Sequence, residues 1–196
     1  MRRTQEERSQ ATRSAIVRAA DGLFATQGFA ATSIEDILKI AKITRGALYH
    51  HFDGKAAIFL AVFEAREAAL AVAIVARAGR ARSSWARFRA GCHGFLECCL
   101  DPEVQRIILI DAWSVLGFDV IRGIEAKYTF ALLKEGLAAA VSDGEIEIGN
   151  VDVMANFLLG ALSQSAMAIA RAKNPRTELA AAQRELDRVL AGLSQV

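Results

Sequence analysis

The sequence predicts an all-α protein, on three observations. Apolar residues recur at helical spacing through nearly the whole chain, and capping side chains with glycine or proline stops divide it into helix-length pieces. The one stretch with strand-like alternation, Glu145 to Ile148, is too short and acidic to found a sheet. The expected architecture is an N-terminal unit of three helices, residues 1–54, followed by a C-terminal helical bundle, residues 55–196.

The first helix is expected from about Glu6 to Gln27, opened by a capping box between Thr4 and Glu7. It buries Ile16, Ala20, Leu23 and Phe24 and stops at Gly28, with Phe29 packing back. Residues 32–55 then read as two short helices joined by a three-residue turn, a helix-turn-helix. Thr32 or Ser33 is placed to cap the first of these, Glu35 or Asp36 completes its box, and Ile34, Ile37, Leu38 and Ala41 form its inward stripe. Thr44 caps the second, whose first turn presents Arg45, Gly46 and Ala47. Two small residues let the backbone lie close to a base-pair edge while one long donor reaches into the major groove of DNA. Leu48 and Phe52 face the core, and Tyr49, His50 and His51 offer donors to phosphate oxygens.

A long helix from about Lys55 to Ala76, with Ile58, Phe59, Val62, Phe63, Leu70 and Ile74, links this head to the body. Arg77 to Ser84, with Gly79 and three arginines, reads as a basic, solvated loop. Helices are then expected over Trp85–Leu100, Pro102–Ala112, Asp119–Val141, Val151–Ala172 and Thr177–Leu193. Pro102 after Asp101, the linker between Ser142 and Asn150, and Lys173-Asn174-Pro175 supply the breaks.

The pattern Ile37-x-x-x-Ala41-x-Ile43-Thr44-x-Gly46-x-Leu48-Tyr49-x-His51-Phe52-x-x-Lys55 resembles the TetR/AcrR family of bacterial transcriptional regulators. The resemblance is close over the first quarter of the chain and extends to the rest only in length and helical character. It implies an N-terminal DNA-binding domain and a C-terminal ligand-binding and dimerisation domain. By position it implies base contact by Arg45, phosphate contact by Thr44, Tyr49 and His51, and a hold on the DNA backbone by Lys55. Two positions depart from the pattern. Lys42 replaces the turn glycine and must either adopt a left-handed conformation or end the helix differently, with a further phosphate contact open to it. Ala56 replaces the acid common after the lysine, which puts the usual cap of that helix in doubt. The expected DNA-facing set is Thr32, Ser33, Lys42, Thr44, Arg45, Gly46, Ala47, Tyr49, His50, His51 and Lys55.

Composition agrees with such a protein. The 196 residues are 53% hydrophobic, more than one helical core needs, which points to a subunit interface or a ligand cavity. The apolar runs Ala68–Ala76 and Ile107–Ile110 fall far short of the ~20 residues of a membrane span. The charged start, Met-Arg-Arg-Thr-Gln-Glu-Glu-Arg, has no apolar stretch behind it, so a cytoplasmic location is expected. Residues 1–55 hold nine basic residues against six acidic ones, whereas the remainder holds 15 against 16, so positive charge collects on the head. Cys92, Cys98 and Cys99 are odd in number and lack paired C-x-x-C spacing. Buried small hydrophobes are expected rather than a disulfide framework, although Cys92, Cys99 and nearby His93 admit a metal or thiol-sensor alternative. No metal and no cofactor are called for.

Within the body, candidate ligand-binding residues are Trp85, Phe88, Cys92, Phe95, Asp111, Trp113, Phe118, Glu125, Tyr128, Asn156 and Gln164. Asp111 stands among apolar neighbours and must face water, pair with a cation such as Arg106 or Arg122, or hydrogen-bond a ligand. Phe157, Gly160, Ala161, Ser165 and Ala168, with Leu186, Val189 and Leu190 of the last helix, are the expected homodimer interface. No Gly-x-Ser-x-Gly elbow, phosphate-binding glycine loop or His-Glu-x-x-His helix supports an enzyme. The expected partners are double-stranded operator DNA, a small-molecule effector and a second copy of the chain. The alternative is a constitutive or architectural DNA-binding protein, which would have no effector cavity.

Overall fold

The computed structural model describes residues 4–79 and 81–194. Among these no strand forms. The helices are α1 (Gln5–Ala31), α2 (Ile34–Ala41), α3 (Arg45–His51), α4 (Lys55–Ala78), α5 (Ser84–Cys98), α6 (Pro102–Val104), a π-helical segment Gln105–Asp111, α7 (Ala112–Val115), α8 (Phe118–Glu125), α9 (Thr129–Ser142), α10 (Val151–Arg171) and α11 (Pro175–Leu193). Arg2 and Arg3 of the head's charge count, and Arg80 of the basic loop, lie outside the described residues.

The expected capping box opens α1: the Glu7 amide donates to Thr4 Oγ1 at 3.2 Å and the Thr4 amide to Glu7 Oε2 at 2.8 Å. Gly28 breaks the helix at φ 82° and ψ 168°, a region open essentially to glycine alone. Beyond it, one further turn runs to Ala31.

Two cores organise the packing. The first joins Ile16 and Phe24 of α1, Ile37 of α2, Leu48 of α3, Ile58, Phe59 and Phe63 of α4, and Ile107 of the π segment. Head and body therefore share one continuous core through α4. Phe59 meets both Phe24 and Phe29 edge to face at 5.2 Å, which fixes the angle at which α4 leaves the head. Arg66 of α4 donates to Asp21 of α1 at 2.6 and 2.8 Å and to Glu103 of α6 at 2.7 Å. The second core gathers Leu96 of α5, Leu137 of α9, Leu158 and Leu162 of α10, and Leu186 and Leu190 of α11.

Two expected helices are subdivided. The run beginning at Pro102 is continuous to Val115, but its centre widens into the π segment. The stretch expected as one helix from Asp119 to Val141 divides at Ala126–Tyr128, where successive amides fold back on Arg122, Ile124 and Glu125 carbonyls. On either side of the break, Ile121 and Ile124 pack in the first core and Leu137 and Ala140 in the second. The linker Ser142–Asn150 has a capping task. Glu145 accepts the Ser84 and Trp85 amides, each at 3.0 Å, and Asp143 accepts Ser84 Oγ at 2.6 Å, so a distant loop closes the N-terminus of α5.

Candidate DNA-reading and effector sites

The α2–turn–α3 unit is built by local chemistry. Ser33 caps α2, its hydroxyl accepting the Asp36 amide at 3.1 Å while Asp36 accepts the Ser33 amide at 3.3 Å. Thr32 is not part of that cap. It is 1% exposed, and its hydroxyl donates to the Gly28 carbonyl at 2.8 Å, so it is withdrawn from the DNA-facing set. Lys42 ends α2 in the left-handed region, φ 54° and ψ 47°, the sole non-glycine residue with positive φ among those described. That resolves the first departure from the family pattern, at a backbone cost of about 1–2 kcal/mol. Thr44 then caps α3, accepting the Ala47 amide at 3.2 Å.

Leu48 and Phe52 anchor α3 in the core, which turns Arg45, Gly46, Tyr49 and His50 outward and leaves Ala47 and His51 half-buried. Arg45 pairs with Glu35 of α2. An arginine held by a surface partner is presented rather than buried, because exposed ion pairs exchange at small cost. Lys55 has a different setting. Its ammonium donates to the carbonyls of Phe29 at 2.8 Å and Thr32 at 2.7 Å and lies over the Phe29 ring. Two of its three donors tie α4 to the end of α1. The second departure is thereby accounted for, since Gly54 makes no side-chain cap and Lys55 fixes the start of α4 instead.

In the body, α4, α5, the π segment, α9 and α10 surround a cavity of about 480 Å³, within the range of small-molecule sites. Of the expected ligand-binding residues, Phe88, Cys92, Phe95, Trp113, Glu125 and Gln164 line it. Five do not. Trp85 stacks on Phe88 within the second core, and Phe118 lies on the surface. Tyr128 packs against the first core, and Asn156 is exposed and accepts from Arg122 at 3.0 Å. Asp111 points to the head, accepting the Phe29 amide at 2.8 Å. None of its expected settings, water, a cation partner or a ligand, describes that bond.

Among the lining residues the sequence reading missed are two polar ones that bond across helices, Glu67 of α4 and Thr129 of α9. Glu67 is 1% exposed and accepts Thr129 Oγ1 at 2.8 Å. Burial, with Glu125 nearby, raises its carboxyl to about 7 against the opposing hydrogen bond from Thr129. A glutamate in the apolar stripe of α4, between Phe63 and Leu70, was the available signal. Glu125 is also raised by burial, opposed by its bond with Arg122 at 2.8 Å.

The three thiols are free and buried. Burial pushes Cys92 up to about 12 and raises Cys99 as well, so both stay protonated and unreactive. His93 turns to Asp187 of α11 at 3.0 Å, and among the described residues no group of three side chains is placed to hold a metal ion.

On α10, Phe157, Gly160, Ala161 and Ala168 are exposed and Ser165 is half-buried, while Leu158 and Leu162 face inward. Phe157 is 74% exposed and Val189 of α11 is 59% exposed, large apolar side chains left to solvent in the protomer. Leu186 and Leu190 are corrected: both are buried in the protomer's second core and hold α11 to the body. By length and composition α10 is apolar enough to cross a membrane, unlike the shorter apolar runs Ala68–Ala76 and Ile107–Ile110. Its buried positions, Ala155, Leu158, Leu162, Ala166 and Ile169, form one stripe packed on the bundle.

A capped helix-turn-helix carried on a helical body with a cavity is the architecture of a DNA-binding transcriptional regulator. Residues 16–62 match the model of bacterial regulatory proteins of the tetR family, and residues 85–193 match the tetracyclin repressor-like C-terminal domain. The chain is 31% identical to a TetR-family transcriptional regulator from Pectobacterium atrosepticum, covering 99% of both chains with a TM-score of 0.84. It is 23% identical over 156 residues to the transposon Tn10 TetC protein of Escherichia coli, spanning 80% of this chain and 79% of that one. It is 44% identical over 64 residues to the HTH-type transcriptional regulator TtgR of Pseudomonas putida, a match covering 33% of this chain and 30% of TtgR. The chain belongs to the TetR family of DNA-binding transcriptional regulators.

Proposed function

We propose that the protein is a homodimeric repressor that binds a palindromic operator and is released from it by a small apolar or amphipathic effector. Residues 1–54 act as the reading head and residues 55–196 as the effector-binding and dimerisation body. Arg45 reads bases, and Ser33, Lys42, Thr44, Tyr49, His50 and His51 meet phosphates, with Gly46 and Ala47 permitting close approach. Two copies meet through the exposed face of α10 and Val189, which supports a pair of recognition helices near ~34 Å apart or a multiple of it. Its place of action is the cytoplasm, with the DNA.

One observation carries the effector reading over a constitutive DNA binder: α4 lines the cavity through Glu67 and Ile74 and anchors the head through Lys55. A ligand that favours a different tilt of α4 changes the spacing of the two heads, and a coupling of about 1–3 kcal/mol alters operator affinity ~5 to 150-fold. The test begins with selection of bound genomic fragments by the purified protein. Fluorescence titrations of the selected duplex follow, with and without candidate effectors. Saturable, sequence-specific binding that weakens with at least one small molecule supports the reading. Binding that ignores every compound seen to occupy the cavity overturns it.

A further inference from the structure

The cavity holds a charge arrangement that a purely apolar ligand does not require. Glu67 projects into it from α4, and Thr129 Oγ1 is its hydrogen-bond partner, with no Lys or Arg paired to it among the described residues. Glu125, the next acid on the wall, already has Arg122. Glu135 and Arg87 also line the space, so carboxylates outnumber cations there. Around these groups the wall is aromatic and aliphatic, with Phe88, Phe95, Trp113 and Ile108. A buried carboxylate without a cation is destabilising, and a hydrophobic residue of similar size at that position would not be.

We infer that the cavity takes an organic cation, an ammonium group on an apolar aryl or alkyl body, with Glu67 as the counter-ion and the aromatic wall as the bed for the rest. This rests on the reading of the cavity as the effector site and names the ligand class. The ammonium replaces the missing partner of Glu67, and aromatic faces add cation–π attraction. An anion would meet Glu67 and Glu135 against Arg87, with Glu125 already paired to Arg122. Glu67 lies 12 residues beyond Lys55, about 18 Å along α4, so the cation grips the same helix that holds the head.

Protonation gives a signature. The titratable groups around Glu67 are Glu125 of α8 and Cys99 at the end of α5, with Arg87 and Cys92 of α5 and Glu135 of α9 also on the cavity; Asp21 of α1 is taken by Arg66. With its carboxyl at about 7, Glu67 is part-protonated at neutral pH, and an ammonium must drive off that proton.

The experiment is calorimetry on the full-length protein without DNA at pH 7, using 4-phenylbutylamine, 4-phenylbutan-1-ol and 4-phenylbutyrate in two buffers of different ionisation enthalpy. The amine should bind about tenfold or more tighter than the alcohol, with the carboxylate weakest, and release about half a proton. Glu67→Gln should remove both the preference and the proton release while leaving the alcohol's affinity within about threefold. Thr129→Val, which keeps the carboxylate, should retain the preference. Equal affinity for amine and alcohol, persistence of the preference in Glu67→Gln, or failure of all three to bind overturns the inference. Operator titrations on the same protein report separately on regulation. An amine that binds through Glu67 without moving DNA affinity upholds the cation site and counts against the effector reading. Release of DNA by neutral compounds alone does the reverse.

Discussion

The Asp111 carboxylate accepts the backbone N–H of Phe29 at 2.8 Å, a bond between residues 82 apart that joins the end of the π segment to the end of α1. It sits beside Gly28, where an added Cβ would lie 3.3 Å from both the Arg106 guanidinium and Asp111 Oδ2. Ile108 and Leu109 of the same segment line the cavity. The body thus touches the head by two routes, through α4 and through this latch.

Breaking the latch should loosen head from body. Asp111→Ala leaves the Phe29 amide without its partner and should cost about 1–3 kcal/mol. Asp111→Asn, whose amide oxygen still accepts, should recover most of that. Gly28→Ala should cost about 1–3 kcal/mol, because its backbone region excludes a Cβ even before the contact with Arg106. Denaturant unfolding of the three variants checks the order, and an Asp111→Ala protein as stable as the parent would show the latch to be idle.

Arg45 and Lys55 should separate reading from holding. Arg45→Ala should cost about 1–3 kcal/mol at the operator and relax base preference without lowering the melting temperature. Lys55→Ala leaves two helix-end carbonyls unpaired, so it should lower stability by about 1–3 kcal/mol and weaken DNA binding through a misplaced head. Melting curves alongside titrations on specific and scrambled duplexes measure both. An unchanged specific-to-scrambled ratio in Arg45→Ala assigns base reading elsewhere.

The dimer face should respond to substitutions the protomer tolerates. Nothing in the protomer lies within 4 Å of a Cβ at Gly160, so Gly160→Leu and Phe157→Glu should keep the fold and yield monomers with weakened operator binding. Leu186→Glu should instead unfold the protomer, since it buries a charge in the second core. Sedimentation with circular dichroism distinguishes the two results, and dimers from both α10 variants would move the interface to another surface.

Stability should carry the mark of Glu67. Below about pH 4.5 its carboxyl is protonated in folded and unfolded chains alike, whereas between there and about 7 the unfolded chain alone ionises it. The folded state therefore loses up to about 3 kcal/mol of relative stability as pH rises through that window. Glu67→Gln lacks this loss, so its unfolding free energy should overtake the parent's progressively from pH 5 to pH 8. Parallel pH profiles would mean that the carboxyl titrates normally.

The sequence by itself determined what is encoded within a few residues of itself. The capping box at Thr4, a cap at Thr32 or Ser33 for α2, the cap at Thr44 and the break at Gly28 are local, because each rests on residues a few positions apart. The helix-turn-helix was therefore legible in outline, with the left-handed Lys42 as one of two named options, whereas Thr32 and Lys55, both expected to face DNA, turn inward. The tertiary structure decided whatever depends on which core claims a face. It withdrew Thr32 inward, turned Asp111 to Phe29, buried Leu186 and Leu190 within the protomer, and divided the helix expected from Asp119 to Val141. It also brought Glu67 of α4 to Thr129 of α9, 62 residues away in the chain. A cavity is the space that several helices leave between them, and no helix carries its outline alone.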